Sequence, residues 1–418
     1  MSSRNENRPG YKKTKLGWLP FEWDLQSLRQ LARKPVSNGI FKRPHEYGSG
    51  VLILNVLDTY RGIIVDCFSL ERVQINNREL LNYKNEYGDI FFVRSSLKLE
   101  GIGNCCVYLD LKTESVFECH LIRFRPDLSR IEPLFAAYLC RSSIVRRQLM
   151  VFSQTTTMTT LPQKELEKCL LPLPQFEEQK KIAEILSTWD TAIEQTRKLI
   201  EAKKRRKKAL MQKLLTGKKR LPGFAKTKDR NSYRFFDLPT DWKCSRIREI
   251  AMDCSERNTQ RDKLTVLSCS KHLGFVESSE YFGKQIFSAD TSNYKIIRRG
   301  CFGYPSNHIE EGSIGLLLKH DIGIVSPIYT VFKCNESVVP EFLYALFKTD
   351  TYRHIFSIST NASVDRRGSL RWREFSLIQV PNPSKEEQHA IVGVLQAAND
   401  EINHLEKKLK ALEKQNAA

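Results

Sequence analysis

Two passages of this chain match each other at an offset of 209 residues, half of its 418-residue length. The first reads Pro172-Leu173-Pro174, then Glu177-Glu178-Gln179, then a long helical pattern. The second reads Pro381-Asn382-Pro383, then Glu386-Glu387-Gln388, then another long helical pattern. Such a chain is expected to fold as two similar lobes, because one supersecondary plan is encoded twice. The register supports this. Ile182, Leu186, Trp189, Ile193, Thr196, Ile200 and Lys203 fall opposite Ile391, Leu395, Ala398, Ile402, Leu405, Leu409 and Leu412, and five of the seven pairs are apolar in both copies. Upstream, Leu161, Glu165 and Leu166 face Leu370, Glu374 and Phe375. Near the start of each half, Leu19-Pro20-x-x-Trp23 recurs as Leu238-Pro239-x-x-Trp242 at an offset of 219. The first half therefore carries about ten extra residues between the matched passages.

The pattern of apolar runs is that of a mixed α/β (α+β) chain. Val51–Leu57, Ile90–Val93 and Val325–Phe332 have strand character. Pro133–Val151 has helical spacing, with Leu134, Tyr138, Leu139, Val145 and Leu149 as its apolar face, and Pro340 opens a matching helix. Gly88-Asp89-Ile90-Phe91 and Gly300-Cys301-Phe302-Gly303 take equivalent places. Each half ends in a long helix, from about Glu177 to Leu215 and from about Ser384 to near the C-terminus. These would span ~58 and ~48 Å. Their 3.5-residue apolar repeat favours an antiparallel coiled coil, with Ile182, Leu186, Trp189, Ile193 and Ile200 on one helix. Ile391, Leu395, Ile402, Leu405 and Leu409 are their counterparts on the other. The expected layout is a polar arm (1–15), a first lobe (16–174), a central helix (175–217), a linker (218–232), a second lobe (233–383) and a C-terminal helix (384–418).

Net charge is +19, from 67 basic against 48 acidic residues, and a polyanion is the usual partner of such an excess. Twelve Lys or Arg against one acid, Glu201, lie between Arg197 and Arg220. That segment reads either as a solvated helix face or as contact with a phosphate backbone or an acidic partner. No run of eighteen apolar residues exists, so no membrane span is expected. The N-terminus lacks an apolar signal core, and the eleven cysteines form no Cys-x-x-Cys pair. Reduced thiols in a cytoplasmic protein are the expectation.

Motifs of catalysis are missing. There is no P-loop, no Asp/Asn-Pro-Pro-Phe/Tyr and no His-Glu-x-x-His, and Gly101-x-Gly103 lacks a third glycine. The acids form no evident metal-dependent nuclease site. The chain therefore reads as a binding protein and not as an enzyme, with no cofactor or metal of its own. Base readout calls for Arg, Asn, Gln, Ser, Thr and Lys on loops. In the first lobe Arg94, Ser95, Ser96 and Lys98, and Gln154 with Thr155, Thr156 and Thr157, meet that description. In the second lobe Tyr304, Ser306, Asn307 and His308 do so, and then Asn361 with Arg366 and Arg367.

With these motifs in view, the chain resembles the specificity subunit of type I restriction–modification systems. The resemblance rests on the twin Leu-Pro-x-x-Trp passages and the Pro-x-Pro with Glu-Glu-Gln before each long helix. Leu210-x-x-Lys213-Leu214-Leu215-Thr216-Gly217 and Gly323-Ile324-Val325-Ser326-Pro327-Ile328-Tyr329 add to it. The first lobe departs from the pattern, with Val116-Phe117-Glu118-Cys119-His120 where Val-Ser-Pro would stand. The resemblance implies two target recognition domains, each reading half of a split, asymmetric site in double-stranded DNA. It implies that the helices act as spacer and dock two modification (methyltransferase) subunits and two motor-nuclease (restriction) subunits. S-adenosylmethionine, ATP and Mg would belong to those partners. The competing expectation is a coiled-coil scaffold without sequence-specific DNA binding.

Overall fold

The computed structural model describes residues 6–155, 158–284, 287–360 and 368–416. The chain forms two compact units, one up to Ala192 and one spanning Ile193–Gln415, so the boundary falls inside the first long helix, Phe176–Leu214.

The first unit is built on a four-stranded antiparallel sheet in the order Ala32–Asn38, Leu121–Pro126, Ile90–Val93, Cys105–Val107. The second unit repeats that order with Ala251–Asp253, Tyr329–Cys334, Cys301–Pro305 and Gly315–Leu316. A turn glycine precedes the third strand of each sheet in the left-handed region, Gly88 at φ +89° and Gly300 at φ +81°, where other residues are disfavoured. Each donates its N–H across the sheet, to Tyr108 and Leu317 respectively.

A second shared piece explains the repeated prolines. The strand Leu170–Leu173 pairs with Asp24–Ser27, and Gln379–Asn382 pairs with Lys243–Arg246. Each pair places a Leu-Pro-x-x-Trp passage beside the start of a long helix, Phe176–Leu214 or Lys385–Asn416. The glutamine of Glu-Glu-Gln then ties that helix to the lobe. Gln179 Oε1 accepts from Glu132 N at 2.9 Å, and its amide donates to Pro174 O and Arg130 O. Gln388 Oε1 accepts from Val339 N at 2.8 Å, and its amide donates to Pro383 O. In both lobes the satisfied N–H is the one just before a helix opened by proline, Pro133 or Pro340. Both amides are buried, so the repeat marks a buried polar joint whose every bond must be made.

The lobes differ in what is added to this frame. The first carries Tyr47–Leu54 paired antiparallel with Glu71–Val73 and parallel with Ser115–Phe117. The second carries two antiparallel pairs, Leu267–Ser270 with Gly274–Glu277 and Lys295–Arg298 with Ile322–Val325.

Two elements differ from the sequence expectation. The run Val325–Phe332 is split at Ser326-Pro327-Ile328, because proline has no N–H for the ladder and the chain turns there. The helix expected over Pro133–Val151 is two, Pro133–Arg141 and Ser143–Phe152, because Ser142 leaves helical geometry and caps the second. Val145 and Leu149 are buried as expected, but Phe135, Ala136, Ala137 and Cys140 carry more of the first helix's inward face than Leu134 and Tyr138. At the end of the polar N-terminal stretch, Tyr11–Thr14 is a strand paired with Gly17–Pro20.

The long helices serve two kinds of packing. Their first turns belong to the lobes: Ile182 packs on the first core, and Ile391 and Leu395 lie within the second. Leu186 and Trp189 are half-buried. Within the second unit the stretch after Ile193 runs antiparallel to the C-terminal helix, since Arg197 reaches Glu413, Lys204 reaches Glu406 and Lys207 reaches Asn399. Ile193, Ile200 and Ile402 are buried there, while Leu405 and Leu409 are half-buried. The mixed α/β fold, its doubling and the antiparallel helix pair are thus all present.

Candidate nucleic-acid interface

In the first lobe the strand Ile90–Val93 continues into Arg94, whose N–H donates to His120 O and whose carbonyl accepts from Leu161 N, each at 2.8 Å. The next two residues, Ser95–Ser96, pair with Thr159–Thr160, and these pair with Gln154–Thr155. The structure therefore joins the two loops singled out in the sequence, some sixty residues apart, into one small three-stranded sheet. Its side chains are hydroxyls and an amide, and the Arg94 guanidinium comes just before it in the chain. Gln154 and Thr155 are exposed, and Arg94, Ser95, Ser96 and Thr160 are half-buried. Thr155 and Thr159 share a hydroxyl hydrogen bond of 3.1 Å. Lys98 is exposed, and its N–H donates to Ser96 Oγ at 3.2 Å. Between them Leu97 stands 84% exposed. Thr160 is the member that sequence reasoning missed, since only the cross-strand pairing places it there. Thr156 and Thr157 lie outside the described residues.

The second lobe repeats the attachment with different chemistry. Ser306 N donates to Ile328 O at 3.2 Å, and Ser306 O accepts from Leu370 N at 2.8 Å. Ser306 thus occupies the place of Arg94, and Leu370 that of Leu161. Two candidates are corrected here. Tyr304 has no exposed surface; it packs against Phe375 at 4.8 Å between ring centroids and burial pushes its phenol pKa upward. Its strand is covered on both faces, so alternation does not bring it out. Ser306 is only 6% exposed and serves the backbone joint. Asn307 is half-buried and His308 exposed, the latter 3.3 Å from Glu311. Asn361, Arg366 and Arg367 lie outside the described residues.

The basic run on the first long helix is less free than its count suggests. Six of its twelve cations make ion pairs: Arg197 with Glu413, Lys198 with Glu194, Lys203 with Glu401, Lys204 with Glu406, Lys208 with Asp350, and Arg220 with Glu387 and Asp241. Three of these acids lie on the C-terminal helix beyond its first turns, so much of the charge serves helix pairing within the second unit. Arg205, Arg206, Lys213, Lys218 and Lys219 are exposed.

No helix among the described residues is long and apolar enough to cross a membrane. All eleven cysteines are free thiols, and burial pushes Cys105 up to about 11 and Cys169 to about 12, well away from reactive thiolate. Among the described residues two groups bring three metal-ligating atoms within 4.8 Å, Glu118 with Cys119 and His120, and His308 with Glu310 and Glu311. The Glu118 carboxylate already accepts from His120 N at 2.9 Å, and His308 faces Glu311.

The doubled frame, with its paired long helices, is the fold of the specificity subunits of type I restriction–modification systems. Solved structures share it over nearly the whole chain. The S subunit from M. genitalium matches with a TM-score of 0.54 and 14% identity, covering 94% of both chains. The HsdS subunit from Thermoanaerobacter tengcongensis matches with a TM-score of 0.51 and 17% identity, covering 96% of this chain and 95% of that one. The family model for the type I restriction modification DNA specificity domain matches residues 67–204. Two specificity subunits of Methanocaldococcus jannaschii type I restriction enzymes are similar in sequence. MjaX is 28% identical over 237 residues, which is 56% of this chain and 53% of that protein. MjaVIII is 26% identical over 180 residues, or 43% and 38%. The chain thus spans about half the length, or less, of the curated relatives it matches. Residues 67–204 thus match the specificity domain of type I restriction–modification systems, and the chain shares the fold of specificity subunits.

Proposed function

We propose that this chain is the non-catalytic DNA-reading subunit of a type I restriction–modification complex. Each lobe is a target recognition domain for one half of a bipartite, asymmetric site. The observation that carries the reading is the matched attachment of Arg94 and Ser306. The same two backbone bonds hold an edge in each lobe, yet the edges present different side chains. Two readers on one frame with different polar edges suit two different half-sites. In the first lobe Arg94, Ser95, Ser96, Thr155 and Lys98 are the proposed contacts, with Thr160 beside them. In the second they are Asn307 and His308. Thr156, Thr157, Asn361, Arg366 and Arg367 keep their places in the proposal from sequence alone.

The long helices are the proposed spacer and the dock for two modification and two restriction subunits. S-adenosylmethionine, ATP and Mg would reside in those partners, and the assembly would work in the cytoplasm. Phosphate contacts supply a salt-sensitive part of the affinity, while base contacts select the site. The test is gel shift with a co-expressed methyltransferase, together with methylation mapping. Co-purification and a sequence preference that survives 0.2 M salt support the reading. A chain that binds partner proteins but shows no preference among duplexes would be the scaffold instead.

A further inference from the structure

The polar edge of the first lobe ends in an apolar tip. Its rungs are polar: Ser95 stands opposite Thr160, and Ser96 opposite Thr159, which in turn faces Thr155. One step further along that register come Leu97 and Met158, 84% and 38% exposed. A leucine exposed alone on a surface needs no explanation. This one stands at the end of a polar edge, in a segment that also carries Arg94 and Lys98, and the register sets a second exposed apolar residue across from it.

The tip is also braced. Lys98 N donates to Ser96 Oγ at 3.2 Å, and the short turn Leu99–Gly101 follows at once. Arg146, on the helix Ser143–Phe152, donates to Glu100 O at 2.5 Å and also to Ile102 O. Tyr60 Oη donates to Gly101 O at 3.1 Å. Gly101 lies so close to the edge that a Cβ there would meet Ser96 Oγ at 2.3 Å. Strand pairing before Leu97 and these bonds after it fix the backbone on both sides, so the side chain is held out from the lobe. The second lobe does the opposite. Three residues on from the matched joint, Arg94 leads to Leu97 and Ser306 leads to Ile309. Ile309 has no exposed surface and lies in the second core.

We propose that Leu97, with Met158 across the register, seats the C5 methyl of a thymine in the half-site read by the first lobe. The inference rests on the reading of that edge as a DNA contact, and it names one base that the edge selects. Base edges in the major groove offer hydrogen-bond donors and acceptors and one apolar group, the thymine methyl. Seating that methyl on Leu97 takes apolar surface of both out of water, and a cytosine at the same place brings no methyl to bury. Serine and threonine hydroxyls both donate and accept, so by themselves the neighbouring rungs discriminate little. The apolar tip adds a choice that they cannot make. With Ile309 buried, the second lobe has no such contact at the matching place.

The test uses the complex with its co-expressed methyltransferase. Methylation mapping reads both half-sites, and duplexes carrying them are then made with each thymine in turn replaced by deoxyuridine, which removes the C5 methyl alone. Competition gel shift at about 0.2 M salt should find one position, in one half-site, where deoxyuridine weakens binding about four-fold, the effect of one buried methyl. Leu97→Ala should weaken binding to the thymine duplex and remove the difference between thymine and deoxyuridine there, while Leu97→Met keeps most of it. At thymines of the other half-site both variants should leave the thymine-to-deoxyuridine ratio unchanged. Leu97 is exposed, so its substitution leaves the fold intact, and circular dichroism checks this. A sequence preference with no methyl effect, or a methyl effect that Leu97→Ala leaves in place, overturns the thymine contact while the reading of the lobe stands. A wild-type complex with no preference among duplexes overturns that reading, and the contact with it.

Discussion

In the second lobe the indole of Trp242 is 4% exposed, donates to a buried carboxylate and carries a guanidinium on its face. In the first lobe Trp23 sits on the same turn beside the same kind of acid, half-uncovered. Yet the two glutamines a residue beyond those acids, Gln179 and Gln388, are equally buried and make matching bonds. The joint between long helix and lobe is therefore complete in both halves. What differs is the cover over its outer side, which Leu214, Leu215 and Arg220 close in the second lobe.

The sharpest way to break this comparison is the tryptophan pair. Trp242→Ala should cost about 3–5 kcal/mol, the range for a large core side chain, and hydrogen exchange should show the loss in the second lobe. Trp23→Ala should cost less than half as much; equal losses would mean that Trp23 is covered in solution.

The glutamine pair should behave oppositely. Gln179→Ala and Gln388→Ala each strand a buried N–H and a buried carbonyl, about 1–3 kcal/mol apiece. Denaturant melts of the two variants should shift alike. A large asymmetry would show that the joint is not the shared element.

The polar edges come next. Arg94→Ala should lower discrimination by about 1–3 kcal/mol at one base pair of one half-site, leaving the other half-site unchanged. Methylation mapping reads both halves at once, and a change in both would remove the one-lobe, one-half-site assignment.

The smallest effect is acid sensitivity. The hydrogen bonds from Arg220 hold the Asp241 carboxyl below the usual carboxylate range. A depressed folded-state pKa gives stability that is complete above the unfolded value and is lost as pH falls through the folded one. Acid titration should therefore weaken the Arg220–Asp241 contact of the second lobe below about pH 4.

Much of the frame was legible. The spacing of Ile182, Leu186, Ile391 and Leu395 gave the helices, and the proline-flanked strands gave the lobes, because amphipathic period and missing N–H groups act over a few residues. The edge residues were only partly legible. Arg94 and Thr155 were found as polar loop residues, but Thr160 depends on pairing with Ser95, and Tyr304 reads like its polar neighbours until the sheet closes over it. The cluster of charge after Arg197 was visible, but not its purpose, since Glu401, Glu406 and Glu413 lie about two hundred residues away in sequence.

By itself, then, the sequence determined that one plan is used twice, because register and turn chemistry are local and repeat with the residues that encode them. Only the tertiary structure decided which copies of a repeated residue are equivalent. Trp23 and Trp242, or Glu178 and Glu387, are alike in letters and differ in burial. Burial depends on what packs from elsewhere in the chain, and Leu210–Arg220 packs on one lobe only.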